Sequence, residues 1–310
     1  MESSNSSMVY TSLEDLVRLE HRAKGFNLLP RQPVHSILAG RHNSRLRGRG
    51  LNFEEIRKYL PGDDVRNIDW KVTARIRKPH VRVFTEERDR PAILVVDQRM
   101  PMFFGSRLYV KSVTAAHLAA LTAWTVFHSG DRVGAVVFND SEIREFRPHR
   151  SRRRVQEIFQ AIVAMNRQLN AEGGVQTNYR QLGKALFHAR QLAKHDHLIA
   201  VISDFAGSDD ESARHILQMV EHNDVVAAVI HDPMALDLGK NGRLVVTEGT
   251  LQVELDLRSE KVRAPVQKFS RARLQDVMTY LKKLAIPILP VHTGEDAVDQ
   301  VRYFLGHQGV

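Results

Sequence analysis

The sequence predicts an α/β fold: a doubly wound, mostly parallel sheet preceded by an irregular, β-containing N-terminal extension. Two observations carry this. Ala92 to Val96 is an unbroken apolar run that ends at Asp97, and a short apolar run closed by a polar turn reads as a strand buried on both faces. From there to the C-terminus, similar runs alternate with helical patterns, which is how βαβ units look in sequence. The 310 residues, 43% of them hydrophobic, are enough for one large domain with an attachment. Three segments are expected: a tail and helix over 1–33, a basic segment over 34–90, and the sheet domain over 91–310.

The elements follow in order. Thr11 or Ser12 caps a helix running to about Arg22, with Asp15 three residues after Ser12 as a capping signature. Leu13, Leu16, Val17 and Leu19 give that helix an apolar side in need of a partner. Arg41, Arg45, Arg47 and Arg49 alternate with small residues in what reads as a flexible basic loop. Phe53–Tyr59 reads as a short helical turn, Pro61-Gly62-Asp63-Asp64 as a tight turn, and Val81–Thr85 as a strand. After strand Ala92–Val96 come a helix over about 107–128, strand 132–138 and a hairpin partner near 142–146. A helix capped by Ser151 runs to about Leu169, and Glu172-Gly173-Gly174 breaks it. Thr177 or Asn178 caps a helix to about Lys194. Strand 197–202 ends at Ser203-Asp204, helix 211–222 follows, and strand 225–230 ends at His231-Asp232-Pro233. Then come a hairpin over 244–257 turning at Glu248-Gly249, a helix over 268–284, strand 287–291 and a last helix over 296–305.

Composition narrows the function. The chain has no cysteine, which excludes disulfides, thiolate metal sites and a cysteine nucleophile. The start is polar, and the most apolar helical stretch, Val113–Phe127, is too short to span a bilayer and contains His117. A cytoplasmic protein without a membrane span is the expectation. The net charge is +9, and the first 90 residues hold 18 Lys and Arg against 12 Asp and Glu. A basic N-terminal face could meet an acidic protein, nucleic acid or anionic lipid. GxGxxG, GxxxxGK[ST] and GxSxG are absent, which disfavours dinucleotide enzymes, P-loop nucleotidases and α/β-hydrolases. No nucleophile or positioned base can be named for a hydrolase. His195 and His197 lack the further ligands a zinc site needs and read as solvated strand-entry residues.

Between Arg57 and Arg75, cations (Arg57, Arg66, Arg75) interleave with carboxylates (Asp63, Asp64, Asp69). They read as an ion-pair network pinning an irregular segment, in preference to a catalytic or metal cluster. Asp97, Thr177 and Asp204 lie at one edge of the sheet by topology. Two carboxylates and a hydroxyl are oxygen donors that suit Mg²⁺. The set resembles the metal-ion-dependent adhesion site of von Willebrand factor A domains, Asp-x-Ser-x-Ser followed by a distant Thr and a distant Asp. Here, however, Arg99 and Pro101 stand at the two serine positions. The expectation is that the Arg99 guanidinium replaces the ion and bridges Asp97 and Asp204. A Mg²⁺ site surviving on Asp97, Thr177 and Asp204 is the alternative.

The segment Phe53-x-x-x-Arg57-x-Tyr59-x-Pro61-Gly62-Asp63-Asp64-x-Arg66-x-Ile68-Asp69-Trp70, followed by Ala74-Arg75, resembles the signature of the bacterial domain-of-unknown-function 58 family. Its members carry this signature just before a von Willebrand A-like domain. The resemblance implies a non-enzymatic protein-binding adaptor or co-chaperone, working with a MoxR-type AAA+ ATPase and a client protein. The contact surface would be the Asp97, Arg99, Thr177 and Asp204 edge together with the basic patch at Arg41, Arg45, Arg47 and Arg49. The competing reading is a nucleic-acid-binding protein using that patch and Arg150–Arg154. Neither cluster contains an aromatic residue for base stacking.

Overall fold

The computed structural model describes residues 8–24, 51–61, 63–86, 90–170, 176–235, 243–248, 251–256 and 259–306. Arg41, Arg45, Arg47, Arg49 and Gly62 lie outside the described residues, as do the Glu172-Gly173-Gly174 break and the turn at Gly249. The chain divides into two compact units, residues 32–89 and residues 1–31 with 90–310.

The larger unit is built on a six-stranded sheet in the order β10-β7-β6-β3-β4-β5. Its strands are β3 (Ala92–Asp97), β4 (Val133–Phe138), β5 (Ile143–His149), β6 (Leu198–Ser203), β7 (Asp224–His231) and β10 (Ile288–His292). All neighbours pair in parallel except β5, which runs antiparallel to β4 at one edge. The predicted doubly wound, mostly parallel sheet is therefore what forms. Ala92 to Asp97 are all buried, as expected of a central parallel strand covered by helices on both faces.

Strand alternation sorts side chains between two cores. Leu94 and Val96 point into a core roofed by α1 (Leu13–Ala23), α3 (Lys111–His128), α4 (Arg152–Asn166) and α8 (Ala297–Phe304). Ile93 and Val95 point into a second core under α5 (Gln181–Leu192), α6 (Asp210–Val220) and the C-terminal half of α7 (Glu260–Lys283). Helix α7 begins earlier than its apolar spacing predicts and contains Pro265. Strands β8 (Arg243–Glu248) and β9 (Leu251–Asp256) form a separate hairpin. No helix among the described residues is long and apolar enough to cross a membrane.

Helix α1, which the sequence sets apart from the sheet domain, packs into the larger unit. Ser12 and Asp15 form the expected capping box. Leu16, Leu19 and Ala23 are buried, and burying each leucine is worth roughly 1.5–3 kcal/mol. The Trp124 indole of α3 donates to the Leu16 carbonyl at 3.0 Å. Arg22 of α1 pairs with Asp296 at 2.8 Å and Asp299 at 2.9 Å. Ahead of the helix, Thr11 N–H donates to Asn166 Oδ1 at 2.9 Å. The Asn166 amide donates onward to Gln98 Oε1 and Ser112 Oγ, both at 3.1 Å.

The smaller unit is an antiparallel hairpin of β1 (Leu51–Lys58) and β2 (His80–Glu86), with α2 (Trp70–Ile76) in the connection. The helical turn expected at Phe53–Tyr59 is instead strand β1. A register shift between Phe53 and Glu55 brings positions 53 and 56 into phase along the pleat, so a strand acquires the three-residue spacing of a helix.

Candidate functional site at the carboxyl edge of the sheet

Strand order reverses between β3 and β6, and the crevice outside the carboxyl ends of the strands at such a point is the usual ligand site of an open α/β sheet. Asp97 ends β3 and Ser203 ends β6. The phase of the strand aims Asp97 to the same side as Ile93 and Val95.

Asp97 and Arg99 are both fully buried and form a two-pronged pair. Arg99 Nε lies 3.0 Å from Asp97 Oδ1 and Nη2 lies 2.6 Å from Oδ2. The Arg99 backbone N–H also donates to Oδ1 at 3.0 Å, and Ser203 Oγ donates to Oδ2 at 2.6 Å. Each carboxylate oxygen thus has two donors. The guanidinium carbon sits 5.4 Å from the Phe138 ring centre. Burial works against the Arg99 charge, but Asp97 beside it, with Asp204 and Asp140 further off, outweighs this and raises its pKa above the ordinary arginine value.

Asp204 is the next acid along the edge, and its partner is Lys111, the first residue of α3, at 2.5 Å. The Ala206 N–H donates to its other oxygen at 2.9 Å. Burial pushes the Asp204 pKa up. The charges of Lys111 and Arg99 outweigh burial and hold it below the ordinary aspartate value. The bridge expected from Arg99 to Asp204 is therefore not a hydrogen-bonded one. Nε and Nη2 are taken by Asp97, and Nη1 turns toward the Tyr179 carbonyl at 3.5 Å. Arg99 reaches Asp204 only through its field, and Lys111 supplies the direct contact.

Thr177 is half-buried, and no hydrogen bond joins it to Asp97, Arg99 or Asp204 among the described residues. Neither Thr177 nor Asn178 caps the following helix, which starts at Gln181 after an uncapped Arg180. Asn178 instead donates its backbone N–H to Asp140 Oδ1 at 2.8 Å, while Met100 N–H donates to Asp140 Oδ2 at 2.6 Å. Asp140, from the turn between β4 and β5, so ties the Asp97 loop to the Thr177 segment. Burial raises its pKa, against the pull of those two N–H groups and Arg99.

A fourth carboxylate closes the edge. Asp232, just past β7, accepts from Ser106 N–H at 2.7 Å, Ser106 Oγ at 2.5 Å, Met234 N–H at 2.9 Å and Thr293 Oγ1 at 2.5 Å. It joins the loops after β3, β7 and β10. Backbone geometry is unusual nearby. Phe205 has φ +55°, a rare value for a bulky residue, held by its N–H donating to Ser203 Oγ at 2.9 Å. Gly207, at φ +77°, lies so close to Tyr179 that an added Cβ would meet the Tyr179 Cβ at 2.6 Å.

The edge does not fit a divalent cation. Mg²⁺ needs about six oxygen ligands in near-octahedral array. Both Asp97 oxygens are engaged, Arg99 lies beside them, and Lys111 covers Asp204. No group of three metal-ligating His, Asp or Glu side chains occurs among the described residues. Lys111, Ser203, Asp140 and Asp232 went unrecognised as site residues in the sequence. Ser203 and Asp232 had a signal, being polar residues at the carboxyl ends of apolar strands.

In the smaller unit the signature carboxylates each hold a turn. Asp63 takes Arg57 through both oxygens at 2.8 Å and accepts from Leu60 N–H at 2.8 Å. Asp64 accepts from the Arg66 backbone at 3.0 Å and its Nε at 3.1 Å. Asp69 caps α2 through Lys71 and Val72 N–H and pairs with Arg82 at 2.8 Å, a cation outside the expected network. These contacts lower the pKa of all three acids: the Arg57 side chain at Asp63, the Arg66 side chain at Asp64, and the Val72 backbone followed by Arg82 at Asp69. Tyr59 N–H donates to the Pro79 carbonyl at 2.9 Å, and Trp70 is exposed. His195 lies edge-on to His222 at 5.0 Å, and His197 Nδ1 lies 2.7 Å from the His195 carbonyl.

Comparison with known proteins agrees with the signature. The chain is 27% identical over 299 residues, 96% of its length, to uncharacterized proteins of Mycobacterium tuberculosis and Mycobacterium bovis, covering 92% of each. The solved structures it is similar to include three. One is conserved hypothetical protein BatB from Bacteroides thetaiotaomicron (TM-score 0.38, 13% identity, 63% of this chain and 98% of that). The second is an aerotolerance-related membrane protein from Bacteroides fragilis (TM-score 0.39, 11%, 71% and 100%). The third is a von Willebrand factor type A protein from Catenulispora acidiphila (TM-score 0.33, 12%, 74% and 43%). A family model matches residues 55–276, and the chain belongs to the family described as "Protein of unknown function DUF58".

Proposed function

We propose that this protein is a non-enzymatic adaptor or co-chaperone that works with a MoxR-type AAA+ ATPase and docks protein through the carboxyl edge containing Asp97, Arg99, Thr177 and Asp204. The observation that carries the reading is the commitment of the edge's acids. Asp97, Asp140, Asp204 and Asp232 are each engaged by a cation, a hydroxyl or backbone N–H groups. That leaves none of the four poised as a general base, and it gives a rigid rim with loops held in fixed positions, as a docking surface requires. In this reading Arg99 is a built-in cation, and docking proceeds without a metal ion.

The nucleic-acid alternative draws less support. In the Arg150–Arg154 run, Arg152 pairs with Glu20, while Arg153 and Arg154 pair with Glu157, so much of that charge is already balanced.

Co-purification tests the proposal. The tagged full chain is expected to recover a MoxR-type ATPase, and Asp204→Ala, checked by thermal melting to be folded, to recover several-fold less. Recovery of no ATPase by the unaltered chain ends the adaptor reading. Calorimetric titration with Mg²⁺ is expected to show no stoichiometric binding; binding that disappears in Asp97→Ala would refute the built-in cation.

A further inference from the structure

The smaller unit carries a surface the adaptor reading does not use. Of its described apolar side chains only Val81 is fully buried, at 1% exposure. Trp70, Val65, Leu60 and Ile76 are 69%, 60%, 58% and 51% exposed. The four lie within seventeen residues of chain, and exposed apolar side chains that gather on one face mark an interaction site. The charges around them are one-sided. Asp63, Asp64 and Asp69 are neutralised by Arg57, Arg66 and Arg82. Lys58, Lys71, Arg75, Arg77 and Lys78 are exposed and have no acidic partner among the described residues.

We propose that α2 (Trp70–Ile76), Lys78 just beyond it, and Leu60 and Val65 ahead of it form a docking surface for an acidic, amphipathic protein segment. Its carboxylates would meet Lys71, Arg75 and Lys78, and its apolar side chains would cover Trp70, Leu60, Val65 and Ile76. Charge complementarity sets the sign of the partner, since Asp63, Asp64 and Asp69 each already have a cation. The apolar set decides between protein and nucleic acid. Bases stack on aromatic faces, but three of the four side chains are aliphatic, which suits the leucines or phenylalanines of a peptide. The proposal stands independently of the carboxyl edge and of the ATPase.

The chain supplies its own reporter, because it has two tryptophans and Trp124 is fully buried. The full-length protein is titrated with a synthetic acidic peptide of Glu and Asp in which Leu recurs every three to four residues. The same peptide with Ser for Leu, and single-stranded oligothymidine, are titrated in parallel. The expected result is a saturable blue shift of Trp70 emission with the leucine peptide, at least several-fold tighter than with the serine peptide or the oligonucleotide. Binding should weaken about tenfold in the Lys71→Glu/Arg75→Glu variant and fall steeply between about 50 and 500 mM salt. Amide hydrogen exchange in β1 and β2 checks that the smaller unit of the variant is folded. Four results would overturn the proposal: Trp70 emission already blue and shielded from acrylamide in the free protein, no shift with the leucine peptide, equal binding by the charge-reversed variant, or tighter binding by oligothymidine.

Discussion

The two units treat charge and apolar surface in opposite ways. In the larger one, an arginine and an aspartate are enclosed together at the centre of the sheet edge, and β3 is buried along its whole length. In the smaller one, the Arg66–Asp64 pair is at the surface, a tryptophan faces solvent, and α2 contains no buried residue. The difference teaches where stability resides. An enclosed pair is costly to disrupt, whereas exposed pairs contribute little, so the surface of the smaller unit can change at little cost in stability.

The sharpest way to break that comparison is Asp97→Ala. It leaves a buried guanidinium without its counter-charge and is expected to cost about 3–5 kcal/mol, measured by urea unfolding. A loss under about 1 kcal/mol would mean that water or another acid takes over, in contradiction to the enclosed geometry. Next comes Leu16→Ala, expected to cost about 2–5 kcal/mol; a near-neutral result would detach α1 from the larger unit. Asp204→Asn gives a smaller, pH-dependent effect. Lys111 holds the folded Asp204 pKa below its ordinary value, so its contribution is present above the ordinary aspartate pKa and is lost as pH falls through the folded value. The melting temperature of the wild type should therefore fall more steeply in acid than that of the variant. At the small end, Trp70→Ala should change stability by no more than about 0.5 kcal/mol, since its ring is exposed. A larger loss would show that the smaller unit has a core of its own.

Much of the larger unit was legible because its physics is local. The runs ending at Asp97, Asp204 and Asp232 announce buried strands, and Ser12, Ser151 and Asp296 announce helix starts that their side chains do cap. Strand β1 was not legible, because the register shift after Phe53 disguises its period. Nor was the choice of partner at the edge. That Asp97 and Arg99 pair could be read from their spacing of two. That Lys111 reaches Asp204 depends on where α3 starts, four residues later than the sequence predicts. Asp140 was missed because an aspartate in a hairpin turn looks like an ordinary turn former. Its acceptors point at two other loops only once the sheet has assembled.

The buried amides between Thr11 and Gln98 have a mechanical consequence. Asn166 grips the backbone ahead of α1 with one end of its side chain and the residue next to Asp97 with the other. A displacement of Thr11 would therefore be felt at the rim of the sheet through Asn166. Thr11 is thus tied to that rim through a single buried side chain.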